Sequence, residues 1–420
     1  MNETNTALIT NDAVVLGLLM AILAFVFYTA SSDKPFWSKF YKVIPSILLC
    51  YFIPALFNTF GIINGETSGL YKVASRYFLP ACLVLLTIGI DLKSLRKLGG
   101  KSLIMFFTGT LGVMIGGPVV MVLTGLISPD LLMQNGEEVW RGLATISGSW
   151  IGGGANQAAM LEVFGASKPL FGQMIAVDVL IANIWMGLLL YGSQHTEKIN
   201  RWLKADNSAI KELEQKMETL ELNSVQQKRG TKEWIILAGI AFGITGISHF
   251  GADIIAKFFL ENFPGSAKFS LTSSFFWLLL IATTLGLFLS FTKARKLEAT
   301  GASDMGSVFL YFLVATIGMN MDLKALLDNP VLFLMGAVWI TTHIVILLIV
   351  AKIIRAPFFF VAVGSQANIG GAASAPIVAA AFNKYLAPVG VLLAVLGYAI
   401  GTYGGYLCGL AMQWVFEFFK

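Results

Sequence analysis

Charge is what this chain has least of: Asp, Glu, Lys and Arg make up 13% of its 420 residues, while 56% are hydrophobic and Phe alone occurs 32 times. That balance excludes a water-soluble domain of this length and calls for lipid as the solvent. Cysteine is almost absent. Cys50, Cys82 and Cys408 are far apart, odd in number and set in apolar runs, so they read as packing residues with no disulfide framework. The alternating pattern of an outer-membrane barrel is missing as well, which leaves helices as the spanning elements. Residues 1–12 carry Glu3 and Asp12 and no basic region, so they do not read as a cleaved signal peptide. No HExxH or GxSxG motif anchors enzyme chemistry, and nothing resembles a phosphate-cradling or base-reading motif.

What is present is a series of long apolar runs, among them 14–30, 44–62, 102–126, 171–191, 275–291, 331–350 and 389–416. Each approaches or exceeds the ~20 residues that cross a hydrocarbon core as a helix, and about twelve such segments can be drawn. The fold class is therefore all-α, a polytopic transmembrane protein of the cell membrane.

The longest polar interruption, 193–233, divides the chain into a first transmembrane repeat (1–192) and a second (234–420). Within it Ile210, Leu213, Met217 and Leu220 recur at helical spacing, with Glu212 and Lys216 one turn apart, as in a solvated or membrane-surface linker helix. The halves look like copies. Thr87, Ile88, Gly89 and Ile90, followed by Asp91, Leu92, Lys93, Ser94 and Leu95, match Thr316, Ile317 and Gly318, followed after a two-residue insertion by Asp322, Leu323, Lys324, Ala325 and Leu326. Asp91 and Asp322 are expected to cap short interfacial helices. A Gly-rich polar segment then follows in each half, Gly148 to Ala158 and Gly364 to Pro376, in the same order.

Consecutive glycines cost about 1 kcal/mol each relative to Ala within a helix, so Gly152, Gly153 and Gly154, and likewise Gly370 and Gly371, are expected to break it. Broken backbone survives in a bilayer only where it is buried in protein or lines a wet cavity, and its freed N–H and C=O groups can then meet a ligand. Close helix packing would explain the glycines but not the polar residues beside them: Ser149, Asn156 and Gln157 at one break, Gln366, Asn368 and Ser374 at the other. Asp178 sits alone in an apolar run, where an ionisable group costs at least ~2.5 kcal/mol and usually faces a cavity or a coupling ion. A sodium ion held by Asp178, Asn156 and Asn368 is the expected ligand set, with no other cofactor. His343 reads as a satisfied helix contact ahead of a proton relay, and Asn320, Asn183, Thr283 and Thr284 read equally as lining the same cavity or as polar helix contacts.

With its paired Gly-rich motifs, two-fold repeat and embedded Asp178, the chain resembles the YjcL-like family of bacterial multi-pass membrane proteins. More distantly it is similar to the superfamily of sodium/proton antiporters, bile-acid symporters and glutamate/sodium symporters. That resemblance implies inverted repeats forming a panel domain and a core domain, with two discontinuous helices crossing at Gly152 to Gly154 and at Gly370 to Gly371. Antiporters of that superfamily carry an Asp-Asp or Asn-Asp pair where this chain has Val177 and Asp178.

The expected activity is cation-coupled symport, by sodium or protons, of a small polar or anionic solute such as a carboxylate, amino acid or short peptide. A monovalent cation/proton antiporter is the alternative, ahead of a channel or an intramembrane enzyme. The expected partners are the bilayer and a small-molecule solute, with a homodimer allowed and nucleic acid excluded. Topology sets one conflict. Basic loops at 34–42 and 93–101 belong in the cytoplasm, and the acidic loop with Glu137 and Glu138 outside. Six crossings before the linker would then leave its eight Lys and Arg residues outside, so one segment must re-enter or be miscounted.

Overall fold

The computed structural model describes residues 7–44, 46–65, 67–91, 98–206, 208, 210, 213, 230–320, 330–383 and 386–420. Residues 92–95 and 322–326 of the matched motifs, and Glu212, Lys216, Met217 and Leu220 of the linker, lie outside them. Asp91 is described, and its Oδ1 accepts a hydrogen bond from Arg295 at 2.9 Å.

In the first half the helices are α1 (Asp12–Ala30), α2 (Pro35–Val43), α3 (Ser46–Thr59), α4 (Leu70–Ile88), α5 (Gly100–Ile127), α6 (Val139–Gly152), α7 (Gly154–Phe164) and α8 (Lys168–Gln194). A short β1 (Met133–Gln134) pairs antiparallel with β2 (Glu137–Glu138) ahead of α6. After the linker helix α9 (Thr196–Leu203) come α10 (Thr231–Asn262), α11 (Ser274–Ser290), α12 (Ala302–Gly318), α13 (Pro330–Ile353), α14 (Phe358–Ile369), α15 (Gly371–Phe382) and α16 (Ala387–Phe419). Seven of these are long and apolar enough to span a bilayer alone, and α3 and α11 qualify with their bent neighbours.

Contacts between helix ends sort the loops onto two faces. One gathers Glu138 with Lys420, Gly125 with Phe419, and Glu162 with Arg76 and Lys168. The other gathers Lys101 with Asp206 and Arg355, and Asn200 with Phe358. Lys34, Lys39, Lys198, Arg201, Lys293 and Lys296 also fall on this second, basic face, which the positive-inside rule assigns to the cytoplasm. Asp130, Glu137 and Glu138 mark the acidic face opposite.

Neither broken pair crosses the membrane. Arg141 at the start of α6 donates to the carbonyl of Phe164 at the end of α7 (2.6 Å), and the Trp140 and Phe164 rings meet at 5.5 Å, so α6 and α7 form a hairpin that enters from the acidic face and returns to it. Likewise the Phe359 and Phe382 rings meet at 5.4 Å, so α14 and α15 enter and leave at the basic face. This corrects the expectation of discontinuous helices that span. At 1.5 Å per residue the 14 residues of α6 reach about 21 Å and the 11 of α7 about 17 Å, short of a ~30 Å hydrocarbon core. It also removes the topological conflict, because five crossings precede the linker and leave it on the basic face. The second half, α10 to α16, runs through the same order of elements in the opposite direction.

Packing divides the helices into two groups. α1, α3, α4, α10, α11 and α12 pack chiefly on one another, and α5 to α8 pack with α13 to α16. The first group is a panel of simple spans. The second is a core holding both hairpins.

Candidate functional site

Gly153 ends α6 with φ +75° and ψ −176°, a conformation open in practice to glycine alone, and α7 restarts at the next residue. Gly371, at φ +56°, restarts the chain after Ile369 in the other hairpin, and the space where its Cβ would stand is open. The two tips meet at one place on α16. A Cβ on Gly397 would lie 2.9 Å from the Ile151 carbonyl oxygen and 3.4 Å from that of Ala367, so glycine is what lets both hairpins approach. On the next residue, the Tyr398 ring stands 3.4 Å from the Cβ position of Gly153 while its hydroxyl lies beside the Ala372 backbone. One tyrosine thus spans from the first tip to the second. Gly154 turns the other way, toward Ile47 of α3 and Leu310 of α12 in the panel.

The tips place two dipole ends of each sign together. α6 and α14 finish there with the carbonyl ends of their dipoles, and α7 and α15 begin there with their N–H ends. A cation and an anion could both be held within this one locus.

Asp178, on α8, is buried and clamps the first hairpin across its break. Ser149 Oγ donates to Oδ2 (2.6 Å), Trp150 Nε1 to Oδ1 (2.6 Å) and Gln157 Nε2 to Oδ2 (3.1 Å). Hydrogen bonds to a charged group are worth about 1.5–3 kcal/mol each. Three of them outweigh the ~2.5–3.5 kcal/mol that an acid costs on insertion.

Asn156 and Asn368 share one bonding pattern. Asn156 Nδ2 donates to the Gly152 carbonyl (2.9 Å) and to that of Tyr398 (3.0 Å), and its Oδ1 accepts from Thr402 (2.6 Å). Asn368 Nδ2 donates to Gly364 (2.9 Å) and Phe106 (3.0 Å), and its Oδ1 accepts from Thr110 (2.8 Å). Both are braces between a hairpin and a neighbouring long helix. Their oxygens are taken by threonine hydroxyls, and neither asparagine is a partner of Asp178. Asn156 faces α16 while Gln157, one residue on, faces α8.

Gln366 Nε2 donates to Ser374 Oγ (2.7 Å) across the second break, beside Gly370, and its Oε1 is buried without a partner. Ser149, Gly152, Gly153, Gly154 and Gln157 thus gather at the first tip, and Gln366, Gly370, Gly371 and Ser374 at the second. His343 is a satisfied helix contact. Its Nδ1 lies 3.0 Å from the Gly109 carbonyl, an acceptor, so that nitrogen carries the proton and Nε2 accepts from Ser365 Oγ (2.7 Å), which in turn accepts from Trp185 Nε1 (2.8 Å). Asn183 and Asn320 bond within their own helices, and Thr283 and Thr284 pair with Thr402 and Tyr403.

Sequence reasoning missed Tyr398, Thr110, Thr402, Trp185 and Ser365. Thr110 and Thr402 each lie four residues after the carbonyl that the same asparagine reaches, a spacing visible only once that partner is known.

Fold and site together define an all-α, multi-pass membrane protein with two re-entrant helical hairpins meeting inside the bilayer. The chain belongs to the family described as "Protein of unknown function (DUF819)", which matches residues 17–415. It is similar to the "Uncharacterized membrane protein YjcL" of Bacillus subtilis (strain 168), with 25% identity over 363 residues, covering 84% of this chain and 86% of that protein.

Proposed function

We propose that the protein is a secondary active transporter that couples a sodium or proton gradient to the movement of a small polar or anionic solute, such as a carboxylate, amino acid or short peptide. The observation that carries this reading is the meeting of the two hairpin tips, which enter from opposite faces, at Gly397 and Tyr398 of α16. The halves act as inverted repeats, and the core moves against the panel to expose the tips to each side in turn. The N-termini of α7 and α15 favour the anionic group of the solute. The coupling cation sits at the ends of α6 and α14, where carbonyl oxygens and the unpartnered Gln366 Oε1 offer acceptors, and Asp178 supplies negative charge from beside the first tip.

Proteoliposomes with an imposed sodium or proton gradient test it. Dicarboxylates, amino acids and short peptides are offered in turn, and saturable accumulation of one class that collapses with the gradient is expected. Solute flux that is linear in concentration and indifferent to both gradients would mean a channel. Sodium efflux driven by protons with no organic solute would establish the antiporter instead.

A further inference from the structure

Four side chains form a cluster where the first hairpin meets the panel on the acidic face. Glu162, near the end of α7, accepts a hydrogen bond from the Tyr71 hydroxyl of α4, and its carboxylate lies 3.7 Å from Arg76 Nη2 and 3.5 Å from Lys168 Nζ. Lys168 also stands 3.6 Å from the centre of the Tyr71 ring. Among ion pairs with both partners described, Arg76–Glu162 is the one that joins panel to core.

The two partners are held differently. Arg76 lies in a π-helical turn of α4 (Ala74–Phe78), a wider coil that often marks functional sites. Its carbonyl accepts from His249 of α10 (2.9 Å), and its guanidinium lies 4.1 Å from the centre of the Phe275 ring of α11. Three panel helices therefore fix the arginine in place. Glu162 rides on α7 and moves with the hairpin. Its side chain is 14% exposed, so separating it from Arg76 leaves a largely desolvated carboxylate with Lys168 alone.

We infer that Arg76, Glu162, Tyr71 and Lys168 form a charged latch that holds the acidic-face side of the solute pathway shut, with Arg76 the fixed catch and Glu162 the moving tongue. The inference rests on the alternating-access reading above. Opening toward the acidic face must break Arg76–Glu162 and Tyr71–Glu162, whereas Lys168–Glu162, within the core, survives the movement.

The test is the sided reactivity of a single cysteine placed at Leu310, whose side chain faces Gly154 in the panel–core seam. The full-length protein, with Cys50, Cys82 and Cys408 replaced by Ala, is reconstituted, and Leu310→Cys is labelled by a membrane-impermeant maleimide from one face at a time. The parent is expected to label from the basic face. Glu162→Gln should raise labelling from the acidic face about tenfold, as for release of a minor state populated at a few per cent. The charge exchange Arg76→Glu with Glu162→Arg should bring it back toward the parent. Should Glu162→Gln fail to yield folded protein, Arg76→Gln, on a side chain 39% exposed, asks the same question. Unchanged acidic-face labelling in a folded variant overturns the latch and leaves the transporter reading standing. Equal labelling of the parent from both faces overturns the shut acidic-face state on which the latch rests.

Discussion

Along the first hairpin, residues 155–161 of α7 are all buried, whereas on the second Ala373, Ile377 and Ala380 of α15 stand exposed. The tips are alike: each has a positive-φ glycine and an asparagine bonded to two carbonyls and a threonine. The difference lies in what covers the shafts. α7 packs on α6 and α16 and also touches the panel helices α4 and α11, while α15 packs on α14, α16 and α8 within the core. A pair of equivalent elements thus holds two environments at once.

The sharpest test of the comparison is Asp178→Asn, because the first tip has a carboxylate and the second has none. The substitution keeps size but sets an amide N–H against Ser149, Trp150 or Gln157. Gradient-driven uptake is expected to fall to background while the protein remains folded and membrane-inserted, measured as solute accumulation and monodispersity on gel filtration. Unchanged gradient dependence would remove Asp178 from the coupling machinery.

Gly153→Ala against Gly371→Ala asks whether the tips are equally strained. At φ +75° and ψ −176° an alanine should cost about 1–3 kcal/mol. At φ +56° with open space around its Cβ it should cost about 1–2 kcal/mol. Thermal unfolding in detergent should therefore rank Gly153→Ala as the less stable variant, and the opposite order would show that the second tip is the tighter one.

The matched braces predict matched losses. Asn156→Ala and Asn368→Ala each remove three hydrogen bonds, about 1–3 kcal/mol of stability, while Thr402 keeps Thr283 and Thr110 keeps the Phe106 carbonyl as partners. Unequal melting shifts would break the parallel, and full stability with lost uptake would return these asparagines to the binding site. Smallest of all, Trp185→Phe removes the N–H donated to Ser365 and should cost about 1 kcal/mol in the same melt, since Ser365 keeps His343 as a partner.

The sequence made the membrane class and both breaks legible, because apolar run length and clustered glycine act locally. It did not show that the chain turns back at Gly153 and at Gly370 to Gly371. An interrupted apolar stretch reads the same whether its second half goes on or returns, and the decisive contacts, Arg141 to Phe164 and Phe359 to Phe382, are made by ordinary residues at the hairpin feet. The basic residues of the linker carried the missing parity. The threonine partners of Asn156 and Asn368 were not legible, because a side-chain amide beside a break looks the same in sequence whether or not it meets a threonine more than two hundred residues away. Glu162, Arg76 and Lys168 escaped notice as charges near helix ends, where solvated residues are ordinary.

The bond from Asn156 to Tyr398 joins residues 242 positions apart, and its acceptor on α16 leaves the ribosome long after the first hairpin. At synthesis rates of about 5–20 residues per second, the first hairpin must wait some 10 to 50 seconds for the helix that completes it. During that interval Asn156 and the turn at Gly153 sit in a half-made protein without α16. A newborn chain stalled before residue 398 should therefore be the form most open to membrane quality-control proteases.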